Sequence, residues 1–297
     1  MKALLRLLVA FRPYTGQMLL GLLLALVTVL ANIGLLTLSS WFIASMAVAG
    51  ASGVLMNYML PSVGVRLFAL TRTGGRYLER LVTHDATFRL LSRLKRWLYD
   101  RLEPLAPARL QDLHSGDLMS RMQSDIDSLE NFYTRGLVPL VVGVLGVLGV
   151  SGFLALFSLR LALTSFSALL AVGLVLPALT GARAAKPGRE AVDRGAELHT
   201  RTVDALQGMS ELLVAGADEE QAEAVLRAAR GREEAEARRN RIAAASEGIQ
   251  TAVIGAAVVA AVLLVVPLVR AGTLPGPYLA MLTVCVLASF ETVTPLP

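Results

Sequence analysis

Six apolar blocks, each about the length that crosses a 30 Å hydrocarbon layer, constrain this 297-residue chain more than anything else in it. They fall at about 17–44, 54–73, 136–158, 161–182, 248–269 and 277–297. Inside lipid every backbone polar group must be satisfied within the segment, so such blocks are read as membrane-spanning helices. Composition agrees: 55% of residues are hydrophobic and 17% charged, against roughly a quarter charged in a soluble domain. The expected class is an all-α membrane protein of six transmembrane helices with long cytoplasmic helical extensions.

The charges report topology. Of the 28 Lys and Arg residues, only Arg66, Arg160 and Arg270 lie outside the N-terminus, the stretch 72–135 and the stretch 183–241. By the positive-inside rule these three regions face the cytoplasm, which places the N-terminus there too. The net charge of +5 therefore reads as topology and contact with anionic lipid headgroups, not as nucleic-acid binding. Residues 1–16 pair a basic flank with a short apolar stretch and no cleavage site. They are expected to form an amphipathic elbow helix on the membrane ahead of a membrane domain over 17–297. The one cysteine, Cys285, lies in an apolar block and reads as a small buried residue.

Both polar stretches look helical. From Thr71 to Arg101 there is no proline, and Leu81, Phe88, Leu91, Leu94 and Leu98 recur at spacings of three and four. The second span is expected to run unbroken into the cytoplasm. The region from Glu190 to Glu247 is rich in Ala, Arg and Glu, all strong helix formers. An extension of about 25–30 residues projects roughly 40 Å. In the third span Gly143, Gly146 and Gly149 recur every three residues, a pattern that permits close helix packing.

The sharpest motif is LQDLHSGDLMSRMQSDIDSLENFY at 110–133, on the turn of the first cytoplasmic hairpin, where Ser115 or Asp117 can cap a short amphipathic helix. Its GDLMSRM followed by DIDSL resembles the first intracellular loop of ABC exporter membrane domains. The second hairpin, LQGMSELLVAGADEEQAEAV at 206–225, resembles that family's second loop. The resemblance implies contacts with an ATPase domain at Gly116, Asp117, Leu118, Ser120 and Arg121, and at Glu211, Gly216 and Ala217. Nearly the whole chain further resembles one subfamily, the C subunits of the heterodimeric CydDC transporters needed for cytochrome bd assembly. That likeness is densest at IGLLTLSSWFIASMAVAG (33–50), NYMLPSVGVR (57–66) and TRTGGRYLERLVTHDATFRLL (71–91). It implies a homologous D-type partner, ATP used through a nucleotide-binding domain, and haem or small thiols (cysteine, glutathione) as cargo. On the haem account His84 ligates the iron.

The residues permit this. Arg76, Arg80 and His84 recur every four positions and share a helix face. A neutral imidazole can ligate haem iron, and an arginine can pair with a propionate. Arg66 and Glu291 lie inside apolar blocks, where a charge faces a protein interior or a cavity, and are further candidates for the cargo path. Helical spacing sets His84 near the cytoplasmic mouth. His114 and His199 have no clustered ligands and read as solvated. No GxxxxGK[ST] loop occurs, so the chain carries no phosphate loop of its own and no catalytic residue is assigned. The family pattern leads to the expectation of a fragment that stops at or just after span six. An ABC exporter half for another cargo, such as a lipid or drug, is the nearest alternative. A secondary transporter or membrane scaffold is the more distant one.

Overall fold

The computed structural model describes residues 15–105 and 136–294, and among them every regular element is helical. In chain order these are α1 (Thr15–Ser52), α2 (Met59–Leu102) with a 3-10 turn at Glu103–Leu105, α3 (Val138–Ala155) and α4 (Leu159–Leu170). A π turn (Ala171–Val175) leads into α5 (Leu176–Gln207), α6 (Met209–Ala215), α7 (Asp218–Arg270) and α8 (Pro277–Ser289), which ends in a 3-10 turn at Phe290–Thr292. They divide into two compact units, one drawn from the described residues up to Leu169 and from Ala256 onward, the other Leu170–Gly255.

Four helices are long and apolar enough to cross a membrane: α1, α3, the α4–α5 run over Leu159–Gln207, and α7. The block at 277–297 forms a shorter apolar helix, Pro277–Thr292. The block at 54–73 begins later than its sequence implies. Gly53, at φ +67°, closes α1, and Asn57 Oδ1 accepts the Met59 amide proton at 3.0 Å, so α2 starts only at Met59. From there Arg66 and Arg72 interrupt the apolar run. As expected, α2 then continues unbroken for 44 residues. The elbow expected over 1–16 lies almost wholly outside the described residues, as does the whole first loop with Gly116, Asp117, Leu118, Ser120 and Arg121.

In the first unit α1 is central. Apart from Ile33, its buried positions are small or polar (Gly21, Thr28, Ala31, Asn32, Thr37, Ser45), whereas Leu19, Leu23, Val27, Leu30, Leu36 and Ile43 are exposed. That distribution inverts a soluble helix. Lipid is as apolar as leucine, so helix association is driven by close approach and interhelical hydrogen bonds. The α1–α2 pair is antiparallel and in constant register. A Cβ on Gly64 would lie 2.7 Å from Leu38, on Gly34 2.9 Å from Phe68, and on Gly75 2.5 Å from Thr28 Oγ1. At the far end Gln17 Nε2 donates to Asp85 at 3.3 Å. Val138 and Val142 of α3 pack on Met18, Leu22, Ala25, Leu26 and Val29. Of the three third-span glycines, Gly143 and Gly146 are buried, the latter against Thr292, while Gly149 is exposed.

In the second unit α5 and α7 form a long antiparallel hairpin joined by polar side chains. Thr180 bonds Ser246 at 2.9 Å, and Arg238 bonds Glu190 at 3.1 Å. Arg194 lies over Gly231, and Arg232 lies 3.8 Å from where a Cβ of Gly195 would stand.

Candidate functional site

Two places collect the residues singled out above. The first is one side of α2. Gly64, Phe68 and Gly75 face α1, and Arg66 and His84 stand about half a turn round the helix from them. Arg66 and His84 are separated by about five full turns and so lie on one line, with Arg76 and Arg80 beside it. All four side chains are exposed. His84 stacks on Phe88, with ring centroids 5.9 Å apart and planes at 27°. Among the described residues these arginines make no ion pair: Asp85 is taken by Arg89 at 2.9 Å and by Gln17, and Glu79 accepts from Thr83 at 3.3 Å. No group of three or more His, Cys, Asp or Glu among the described residues could hold a metal ion.

Glu291 does not join this line. It sits in the turn after α8, where it accepts a hydrogen bond from Asn32 Nδ2 of α1. Asn32 is buried and its Oδ1 has no partner. The neighbouring Thr292 packs on Gly146 of α3. Glu291 is thus part of a polar joint among α1, α3 and α8.

The second place is the tip of the α5–α7 hairpin. Gly208 ends α5, and the two-turn α6 follows. Gly216 closes it at φ +64°: the Ala217 amide bonds Leu212 O at 2.9 Å and the Gly216 amide bonds Leu213 O at 3.3 Å. This pair of bonds is the Schellman motif, whose left-handed position favours glycine. Asp218, Glu219 and Glu220 then open α7, where carboxylates suit the positive end of the helix dipole. On this short helix Met209, Leu213 and Val214 are exposed, Val214 to 92%, and Leu206 beside it is exposed as well. Glu211, Gly216 and Ala217 therefore fall on a tip whose surface is apolar at its most prominent point. Sequence reading marked its glycine turn and missed its apolar side chains, although M-S-E-L-L-V carries that signal at helical spacing.

Residues 18–289 match the family model for the ABC transporter transmembrane region. The chain is 35% identical over 296 residues to the Escherichia coli glutathione/L-cysteine transport system ATP-binding/permease protein CydC, covering 99% of this chain and 52% of that protein. It is 31% identical over 301 residues to the Haemophilus influenzae protein of the same description, covering 51% of it. A Bacillus subtilis CydD of the same transport system is 29% identical over 187 residues, 61% of this chain. The chain spans about half the length of the first two relatives. It is a multi-pass membrane protein and belongs to the ABC transporter transmembrane family.

Proposed function

We propose that this chain is the membrane-spanning half of one subunit of an ATP-driven, CydDC-type exporter that moves small thiols, glutathione or cysteine, from the cytoplasm across a bacterial inner membrane. The observation that carries the reading is the α6 tip: an apolar surface held at the end of a long polar hairpin by a glycine-specified turn. Exposed Leu213 and Val214 in that setting mark a surface that a partner covers. On this reading the partner is an ATPase domain, which meets the second hairpin through Glu211, Gly216 and Ala217 and the first through Gly116, Asp117, Leu118, Ser120 and Arg121.

A homologous D-type subunit supplies the other membrane half. Closure of the ATPase domains on ATP pushes the hairpin tips, and the long helices carry that movement into the membrane so that a central cavity opens alternately to either side. The line Arg66, Arg76, Arg80 and His84 faces that cavity, where guanidinium groups bind the carboxylates of glutathione bidentately. Thiol cargo is supported by the two CydC relatives, which are glutathione/L-cysteine transport proteins. Exposed His84 stacked on Phe88 favours haem as a second reading: the imidazole would ligate the iron and Arg76 or Arg80 would hold a propionate.

The test is ATP-driven uptake of radiolabelled glutathione, cysteine and haem by the full-length heterodimer in inside-out proteoliposomes. Thiol uptake that needs ATP and falls at least tenfold in Arg76→Gln/Arg80→Gln is the expected result. Haem uptake and a ligated Soret band, both lost in His84→Ala, would transfer the reading to haem. ATP-independent movement of every cargo would contradict the exporter itself.

A further inference from the structure

We propose that the cytoplasmic part of α2 carries a binding site for a small soluble oxyanion, a molecule with carboxylate or phosphate groups, in the open concavity lined by Phe88, Arg89, Ser92, Arg93 and Arg96. The concavity is about 600 Å³, within the roughly 300–1,000 Å³ of small-molecule sites. Its lining residues fall on one arc of the helix, at i, i+1, i+4, i+5 and i+8, so the three arginines share one face. Arg89 is anchored by Asp85 at 2.9 Å, and Asp85 is itself held by Gln17. Arg93 and Arg96 have no acidic partner among the described residues. Among the described residues Asp85 is the one carboxylate paired with these three cations, which leaves the concavity positive. An anion relieves the mutual repulsion and fits the planar fork of arginine bidentately. Ser92 adds a hydroxyl, and Phe88 an apolar wall continuous with His84.

The source of the anion, a dissolved molecule or a lipid headgroup, turns on depth, and this step rests on the reading of α1 and α2 as spans. The register of the pair sets Asp85 level with Gln17, at the cytoplasmic end of α1's apolar run. Arg89 follows about 6 Å beyond that level and Arg96 about 10 Å farther out. A headgroup layer is about 5–7 Å deep, so Arg96 stands past it, open to a dissolved molecule, while Arg89 is within reach of a phospholipid phosphate.

The experiment uses the full-length heterodimer in nanodiscs of phosphatidylcholine alone. Binding of radiolabelled glutathione and of inorganic phosphate is compared for wild type, Arg93→Gln/Arg96→Gln and Arg93→Lys/Arg96→Lys, with melting curves to confirm folding. The expected result is salt-sensitive binding of at least one probe, weakened tenfold or more in the glutamine pair and partly kept in the lysine pair. Absence of arginine-dependent binding for both probes overturns the inference. So does a result in which the glutamine pair loses only co-purifying phosphatidylglycerol in nanodiscs doped with that lipid, since the ligand is then a headgroup. ATP-driven thiol uptake is recorded in parallel. Uptake without arginine-dependent binding sinks this inference alone, and arginine-dependent phosphate binding without uptake of any cargo sinks the exporter reading alone.

Discussion

The α1–α2 pair and the α5–α7 hairpin are both antiparallel helix pairs studded with glycine, yet glycine serves opposite purposes in them. Between α1 and α2 the backbones come close along much of their length, and Gly34, Gly64 and Gly75 are spaces filled by Phe68, Leu38 and Thr28. Between α5 and α7 the contact runs chiefly through long side chains. Gly195 and Gly231 leave room for Arg232 and Arg194 to cross, and among the described residues one ion pair, Arg238–Glu190, joins the partners. Lipid offers no hydrophobic drive for association, so a pair in the membrane depends on steric fit and buried hydrogen bonds. Water solvates arginine, so a pair outside the membrane can stand apart and be tied by exposed charge of small net worth.

Substitution should expose the contrast most sharply at the glycines. Gly75→Val places atoms on Thr28, and overpacking of this kind costs about 1–3 kcal/mol. Its detergent melting temperature should fall well below wild type. Gly195→Ala meets only ordinary contact with Arg232 and replaces a poor helix former, so it should be neutral or stabilising by up to about 1 kcal/mol. Equal loss at the two positions would break the comparison. Next in size is Asn32→Leu, which strips the half-buried hydrogen bond to Glu291 and should cost about 1–2 kcal/mol. Restored stability in Asn32→Leu/Glu291→Leu would sharpen the assignment of that pair to packing.

The hairpin tip comes next. Gly216→Ala forces an L side chain into φ +64°, a strain of about 1–2 kcal/mol, read as increased amide hydrogen exchange at Leu212–Asp218; unchanged exchange would count against the Schellman turn. The smallest effect belongs to Arg238→Gln. Its partnership with Glu190 is more than a third exposed, so the loss should stay below about 0.5 kcal/mol and vanish in high salt. A salt-insensitive loss above about 2 kcal/mol would mean that this hairpin is packed more like the α1–α2 pair.

Much of the helical fold was legible because the length and apolarity of a helix are properties of contiguous sequence. The unbroken run of α2 and the shared face of Arg76, Arg80 and His84 followed from helical periodicity alone. The start of α2 was not legible: Val54, Leu55 and Met56 are apolar, and nothing in composition reveals that Gly53 turns left-handed and delays the helix. Nor was the pairing of Asn32 with Glu291 accessible, since those residues meet only through tertiary packing. The three-residue spacing of Gly143, Gly146 and Gly149 drifts about 60° per step round a helix, which is why the third leaves the contact. Arg89, Arg93 and Arg96 were read as topological charge because periodicity fixes a face and says nothing of whether acidic partners answer it.

The central claim is that ATP energy enters this membrane domain through the exposed apolar tip at α6. The most direct measurement is coupled ATP hydrolysis and glutathione uptake by the full-length heterodimer carrying Leu213→Asp/Val214→Asp, beside wild type. The account predicts uptake reduced at least tenfold while the ATPase domains still bind nucleotide and the membrane domain melts as before. Wild-type uptake from the doubly substituted tip would contradict it.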